Sequence, residues 1–132
     1  MRCVLIVLLG IAAWSLSWSG ARAATPTAIL QSCEAVLQGT RGSEGRNVDI
    51  PAAGLPCWYY MSAVQNMSVI VDENGEHVLG VCAPSATTLM QYVESFVRYA
   101  RKSRQRPDGN PAALAIAGLS EAYPCDGTVV LR

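Results

Sequence analysis

The stretch SATTLMQYVESFVRYARK, residues 85–102, decides the fold. Leu89, Val93, Phe96, Val97 and Ala100 recur at helical spacing, and Tyr92 and Tyr99 widen the same stripe, so one face is apolar and the other solvated. Ser85 stands ahead of the run as an N-cap, while Arg98, Arg101 and Lys102 crowd the end at which a helix carries partial negative charge. The spacing predicts an amphipathic helix from Ser85 to about Lys102, which must bury its stripe against other elements.

Working outward, Asn110-Pro111 is a cap followed by Pro in the first turn. Ala112, Ile116, Leu119 and Tyr123 then share one face before Pro124 stops the helix. Its many Ala and the mid-helix Gly118 predict a thin helix packed closely on its neighbours, with Gly costing about 1 kcal/mol. Upstream, Pro56-Cys57 opens a helix with Cys57, Met61, Val64 and Ser68 on one face, expected to reach about Val71. Val69-Ile70-Val71 and His77-Val78-Leu79 on either side of Asn74-Gly75 also read as a hairpin, and residues 69–80 stay open between the two. Earlier still, Thr25-Pro26 opens a helix with the stripe Ile29, Cys33, Val36 and Leu37, closing at Gly39. Gly39 to Pro56 is rich in Gly and Pro, has no period, and is a long connection. The fold class is all-α, a small bundle of about four helices.

Met1-Arg2, an apolar run from Cys3 to about Trp18, and Ala21-Arg22-Ala23 have the form of a secretory signal peptide cut after Ala23. That leaves a domain of residues 24–132, without Cys3 and with no stable membrane insertion after cleavage. Losing Arg2 and Arg22 leaves eight basic residues against ten acidic ones, a net charge of −2. No basic surplus exists to neutralise a nucleic-acid backbone. Four cysteines remain, Cys33, Cys57, Cys82 and Cys125, and an even number on an exported chain reads as two disulfides. Three pairings are possible. In an antiparallel bundle the start of the third helix neighbours the end of the fourth, which favours Cys82 with Cys125 and leaves Cys33 with Cys57. There is no CxxC pair and no His close to a Cys, so neither zinc nor another cofactor is expected. His77 is the only His; any Ser-His-Asp or Cys-His catalysis must use it, and it is read as a surface residue of a chain that is not an enzyme.

The cysteine-anchored pieces carry a resemblance. Cys33 in the first helix, Cys57-Trp58-Tyr59-Tyr60-Met61-Ser62-Ala63, Val81-Cys82-Ala83-Pro84 and Glu121-Ala122-Tyr123-Pro124-Cys125 resemble the Rap/Tai family, periplasmic immunity proteins against type VI secretion amidase effectors. The likeness runs from about Ile29 to Cys125, and the Cys-x-Pro and Tyr-Pro-Cys elements at their mutual spacing are its most specific part. The family's second motif reads Cys-x-Gly-Tyr-Ile-x-Gly. Here Tyr59 and Ala63 stand at the Gly positions and Met61 replaces Ile, while Tyr60 keeps the family's Tyr. Gly permits close backbone approach, so packing around the second helix is expected to differ. The resemblance implies an all-helical, disulfide-bonded periplasmic binding protein, often a homodimer, that occludes the active site of a peptidoglycan-cleaving amidase with a loop and helix surface. A second class fits the same disulfide-tied helices: a small periplasmic chaperone or envelope stress protein with no dedicated effector.

Candidate partner-binding residues are Arg101, Lys102, Arg104, Arg106, Asp108 and Trp58. The basic cluster reads either as dipole compensation on a solvated face, with Glu94 and Arg98 paired at i, i+4, or as a dock for an acidic partner. Asp108 lies in a polar connection, Ser103 to Asn110, that projects between two helices and is either an inserting loop or a plain connector. Trp58 heads the cluster Trp58-Tyr59-Tyr60, which either covers the core and a disulfide or offers an exposed anchor.

Overall fold

Residues 85–102 form the hub of the molecule, although the helix there begins later than its pattern suggests. The computed structural model describes residues 24–40, 49–103 and 109–125. The signal peptide expected at 1–23, the candidate residues Arg104, Arg106 and Asp108, and the tail 126–132 lie outside the described residues. Within them are four α-helices: α1 (Pro26–Thr40), α2 (Leu55–Ser68), α3 (Leu89–Lys102) and α4 (Pro111–Ala122). A 3-10 turn, Ala52–Gly54, leads into α2, and the only β pairing described is a single antiparallel bridge between Val71 and His77. None of the described helices is long and apolar enough to cross a membrane.

α3 buries Tyr92, Val93, Ser95, Phe96, Val97 and Ala100 and packs on α1, α2 and α4. Thr88, not Ser85, is its N-cap. Thr88 Oγ1 accepts from the Gln91 N–H at 3.3 Å while Gln91 Oε1 accepts from the Thr88 N–H at 2.8 Å. This reciprocal box satisfies two helix-end donors at once, where a lone Ser85 hydroxyl would satisfy one. The residues before it close a turn in which the Thr87 N–H donates to Pro84 O at 2.9 Å.

α4 runs antiparallel to α3, with Tyr99 opposite Gly118 and Tyr92 stacked on Tyr123 at 5.7 Å between ring centroids. Its buried residues are Ala115, Gly118 and Leu119, so the inward face is turned from the one expected, leaving Ala112 and Ile116 half-buried. The cause is close approach. A Cβ on Gly118 would lie 2.8 Å from Tyr99 Cβ, so the smallest residues of the helix must face α3.

α2 buries the expected Cys57, Met61, Val64 and Ser68 but ends at Ser68, short of Val71. α1 buries Ile29, Ser32, Cys33 and Val36, with Leu37 at the edge of the core. Ser32 joins the two, its hydroxyl donating to Ala53 O at 2.7 Å and accepting from the Cys57 N–H at 3.0 Å. Tyr59 and Ala63, which stand at the family's Gly positions, both face solvent and take no part in the buried face of α2.

The disulfides are Cys33–Cys57 and Cys82–Cys125, the pairing that antiparallel topology favoured, with Cα–Cα distances of 4.9 and 4.8 Å. One ties α1 to α2; the other ties the segment before α3 to the end of α4. For sequence separations of 24 and 43 residues, chain entropy assigns each about 3–4 kcal/mol. That is a large share of the net stability of so small a domain.

Candidate functional site

Seven large apolar side chains are exposed among the described residues, and five of them, Met67, Val69, Ile70, Val71 and Val78, lie at the end of α2 and in the turn that follows. Contiguous exposed apolar surface is the usual mark of a protein contact. The turn that carries it is built around one carboxylate. Asp72 Oδ1 accepts from the N–H groups of Asn74 at 2.8 Å and Glu76 at 2.9 Å. The Asp72 N–H donates to Glu76 O at 2.9 Å and the Gly75 N–H to Asp72 O at 3.1 Å. Gly75 takes φ +81°, a left-handed conformation that suits Gly. The Glu76 N–H, followed by Asn74, holds the Asp72 carboxyl below its ordinary value.

Two bonds fix this turn to the bundle. His77 Nδ1–H donates to Ser68 O at 2.9 Å, satisfying a carbonyl at the end of α2 that has no partner within the helix. The Ser68 hydroxyl and Tyr92 OH lie 2.9 Å apart in the core, coupling the same position to α3. His77 is therefore half-buried and structural, and not the free surface residue expected. Beyond Val71 and Val78 the tip presents Asp72, Glu73 and Glu76. The result is an apolar surface with an acidic edge, on a short element pinned at its base.

The residues singled out from sequence are placed differently. Trp58 is half-buried and packs against the core as cover; the exposed member of its cluster is Tyr59, at 69%. Arg101 Nε donates to Glu34 Oε1 and Lys102 Nζ to Glu121 Oε1, each at 3.0 Å. These are bonds between helices, and the expected Glu94–Arg98 pair is not among the ion pairs formed by the described residues. Lys102–Glu121 is solvated at both ends and Arg101–Glu34 at its Arg end, and pairs of this kind contribute about 0–1 kcal/mol each. Tyr60 OH is buried without a partner among the described residues, and burial pushes its pKa up. No group of three or more His, Cys, Asp or Glu is arranged to hold a metal ion among the described residues.

Sequence reasoning missed the 67–78 surface because it left the segment open between helix and hairpin. The signal was present: three β-branched residues run directly into Asp-Glu-Asn-Gly, a helix-ending pattern followed by a tight turn.

A profile of the family described as Rap1a immunity proteins matches residues 25–125, from the first residue before α1 to the last disulfide cysteine. No curated protein and no solved structure shows significant similarity to the chain.

Proposed function

The chain belongs to the Rap1a immunity protein family, and from that premise we propose that the effector it binds is a peptidoglycan-cleaving amidase, met in the periplasm. An immunity protein against an effector works by binding, and it is not an enzyme. Two disulfides suit an exported chain, since such bonds persist only in oxidising compartments. The signal peptide proposed at residues 1–23 agrees with that location.

One observation carries the mechanism: the exposed apolar surface of Met67, Val69, Ile70, Val71 and Val78 stands on a turn held by Asp72 and His77. A pinned turn loses little conformational freedom on binding, so apolar burial there is converted into affinity with a small entropic loss. In this reading it lies across the mouth of the amidase cleft and keeps substrate out, with Asp72, Glu73 and Glu76 facing basic groups of the enzyme. Arg101 and Lys102, at the other end of α3, are proposed as a second, electrostatic flank. Self-association, which the family resemblance implies, is proposed alongside, and sedimentation velocity of the free domain reads it out.

The test is calorimetric titration of the amidase with the oxidised domain and with its Ile70→Asp/Val71→Asp variant. Placing two carboxylates in the apolar surface is expected to weaken binding by at least about 100-fold, the scale of a lost hot spot, with the circular dichroism unchanged. Equal affinity of the two proteins would remove the turn from the interface.

A further inference from the structure

A second feature adjoins Tyr123, whose ring packs on Tyr92, the partner of Ser68. Between α3 and α4 runs a cleft of about 730 Å³, within the size range of small-ligand sites. Ser95, Arg98 and Lys102 line one wall at i, i+3 and i+7, a single ridge of α3, while Glu121 and Tyr123 line the other. Gly118 contributes no side chain to the floor. Tyr123 is fixed three ways: its ring stacks on Tyr92, its carbonyl accepts from the Cys82 N–H at 2.9 Å, and its neighbour but one, Cys125, is disulfide-bonded. The cleft is therefore shaped in advance.

Its polar groups are under-used. Ser95 is only 4% exposed, yet its hydroxyl makes no hydrogen bond among the described residues. The hydroxyl oxygen itself is not closed off from solvent, so it is open to a ligand atom at the floor of the cleft. Arg98 makes no ion pair among the described residues, and Lys102 shares one with Glu121. The walls thus carry two cations against one carboxylate, a surplus of one positive charge beside a free donor.

We propose that this cleft binds the free carboxylate of a short peptide. Arg98 presents the planar fork that matches a carboxylate, the Ser95 hydroxyl donates to it from below, and Lys102 supplies neutralising charge. Tyr99 and Tyr123 receive the apolar body of the terminal residue, and Glu121 accepts from its backbone N–H groups. The single surplus charge and the facing Glu121 disfavour a dianion such as phosphate. The near-complete burial of Ser95 admits a slender chain end and not the surface of a folded protein.

The probe is N-acetyl-trialanine with a free carboxylate, titrated into the oxidised, isotope-labelled domain by NMR, against its C-terminal amide and against acetate. Saturable shifts at the Ser95, Arg98 and Gly118 amides are expected for the acid, with the amide and acetate each roughly tenfold weaker or more. Arg98→Gln is expected to weaken the acid by roughly tenfold, and Ser95→Ala by a smaller factor, in variants whose spectra keep native dispersion. Equal binding of acid and amide, acetate binding as tightly as the peptide, indifference to Arg98→Gln, or no shift at millimolar acid would each overturn the proposal. Neither effector nor amidase enters this experiment, so its failure leaves the occlusion reading standing.

Discussion

Gly118 shows how one atom sets an interface. In an isolated helix, Ala in place of Gly stabilises by up to about 1 kcal/mol. Here the added Cβ would sit 2.8 Å from the Cβ of Tyr99, on an atom that cannot swing away. Overpacking of this kind costs about 1–3 kcal/mol, so Gly118→Ala is expected to lower the urea midpoint, and an increase would show that the helices separate freely. Asp72 is the second decisive residue. Its folded pKa is depressed by the Glu76 N–H, so its contribution is complete above the unfolded Asp value of about 3.9 and is lost as pH falls through the folded value. Amide exchange at Asn74 and Glu76, corrected for intrinsic rates, should therefore accelerate in that acidic window in the wild type, and Asp72→Asn should be fast at neutral pH as well. The inward stripe of α2 and the disulfide cysteines were legible residue by residue, because each depends on local spacing. The role of His77 was not, since its partner, Ser68 O, becomes available only where α2 stops.

At the scale of elements, all four helices were visible in the 3.6-residue period and in the Pro and cap residues, whereas their ends and faces were less so. The start of α3 was misplaced because Ser85 and Thr88 are both capable caps, and the choice turns on Gln91 reaching back to Thr88. Thr88→Ala is accordingly expected to cost about 1 kcal/mol, while Ser85→Ala is expected to be close to neutral; paired denaturation curves check both, and the reverse order would restore the earlier start. The inward face of α4 was misjudged for a different reason. A helix rich in Ala, Ile and Leu is apolar nearly all round, so periodicity alone does not orient it; the closest approach, at Gly118, does. Val69 to Val71 left the helix for a turn because Asp72 offers the backbone an alternative set of hydrogen bonds and Gly75 permits the reversal.

At the scale of the whole molecule, two disulfides divide the work of stabilisation. Cys33–Cys57 holds the α1–α2 pair, and Cys82–Cys125 encloses α3 and α4 and orders Tyr123 beside the cleft. Mass mapping of the exported protein without reduction should find no free thiol among residues 24–132, and two or more would contradict the fold. The family was legible in the cysteine-centred motifs. The exposed surface at 67–78 was not, because an apolar residue is seen to lie outside only when the core is assembled without it. Peptidoglycan cleavage tests the central claim most directly: candidate amidase effectors titrated with the oxidised 24–132 domain. Stoichiometric loss of cleavage for one of them, abolished by Ile70→Asp/Val71→Asp, is the expected result; full cleavage by every such amidase in excess domain would contradict it.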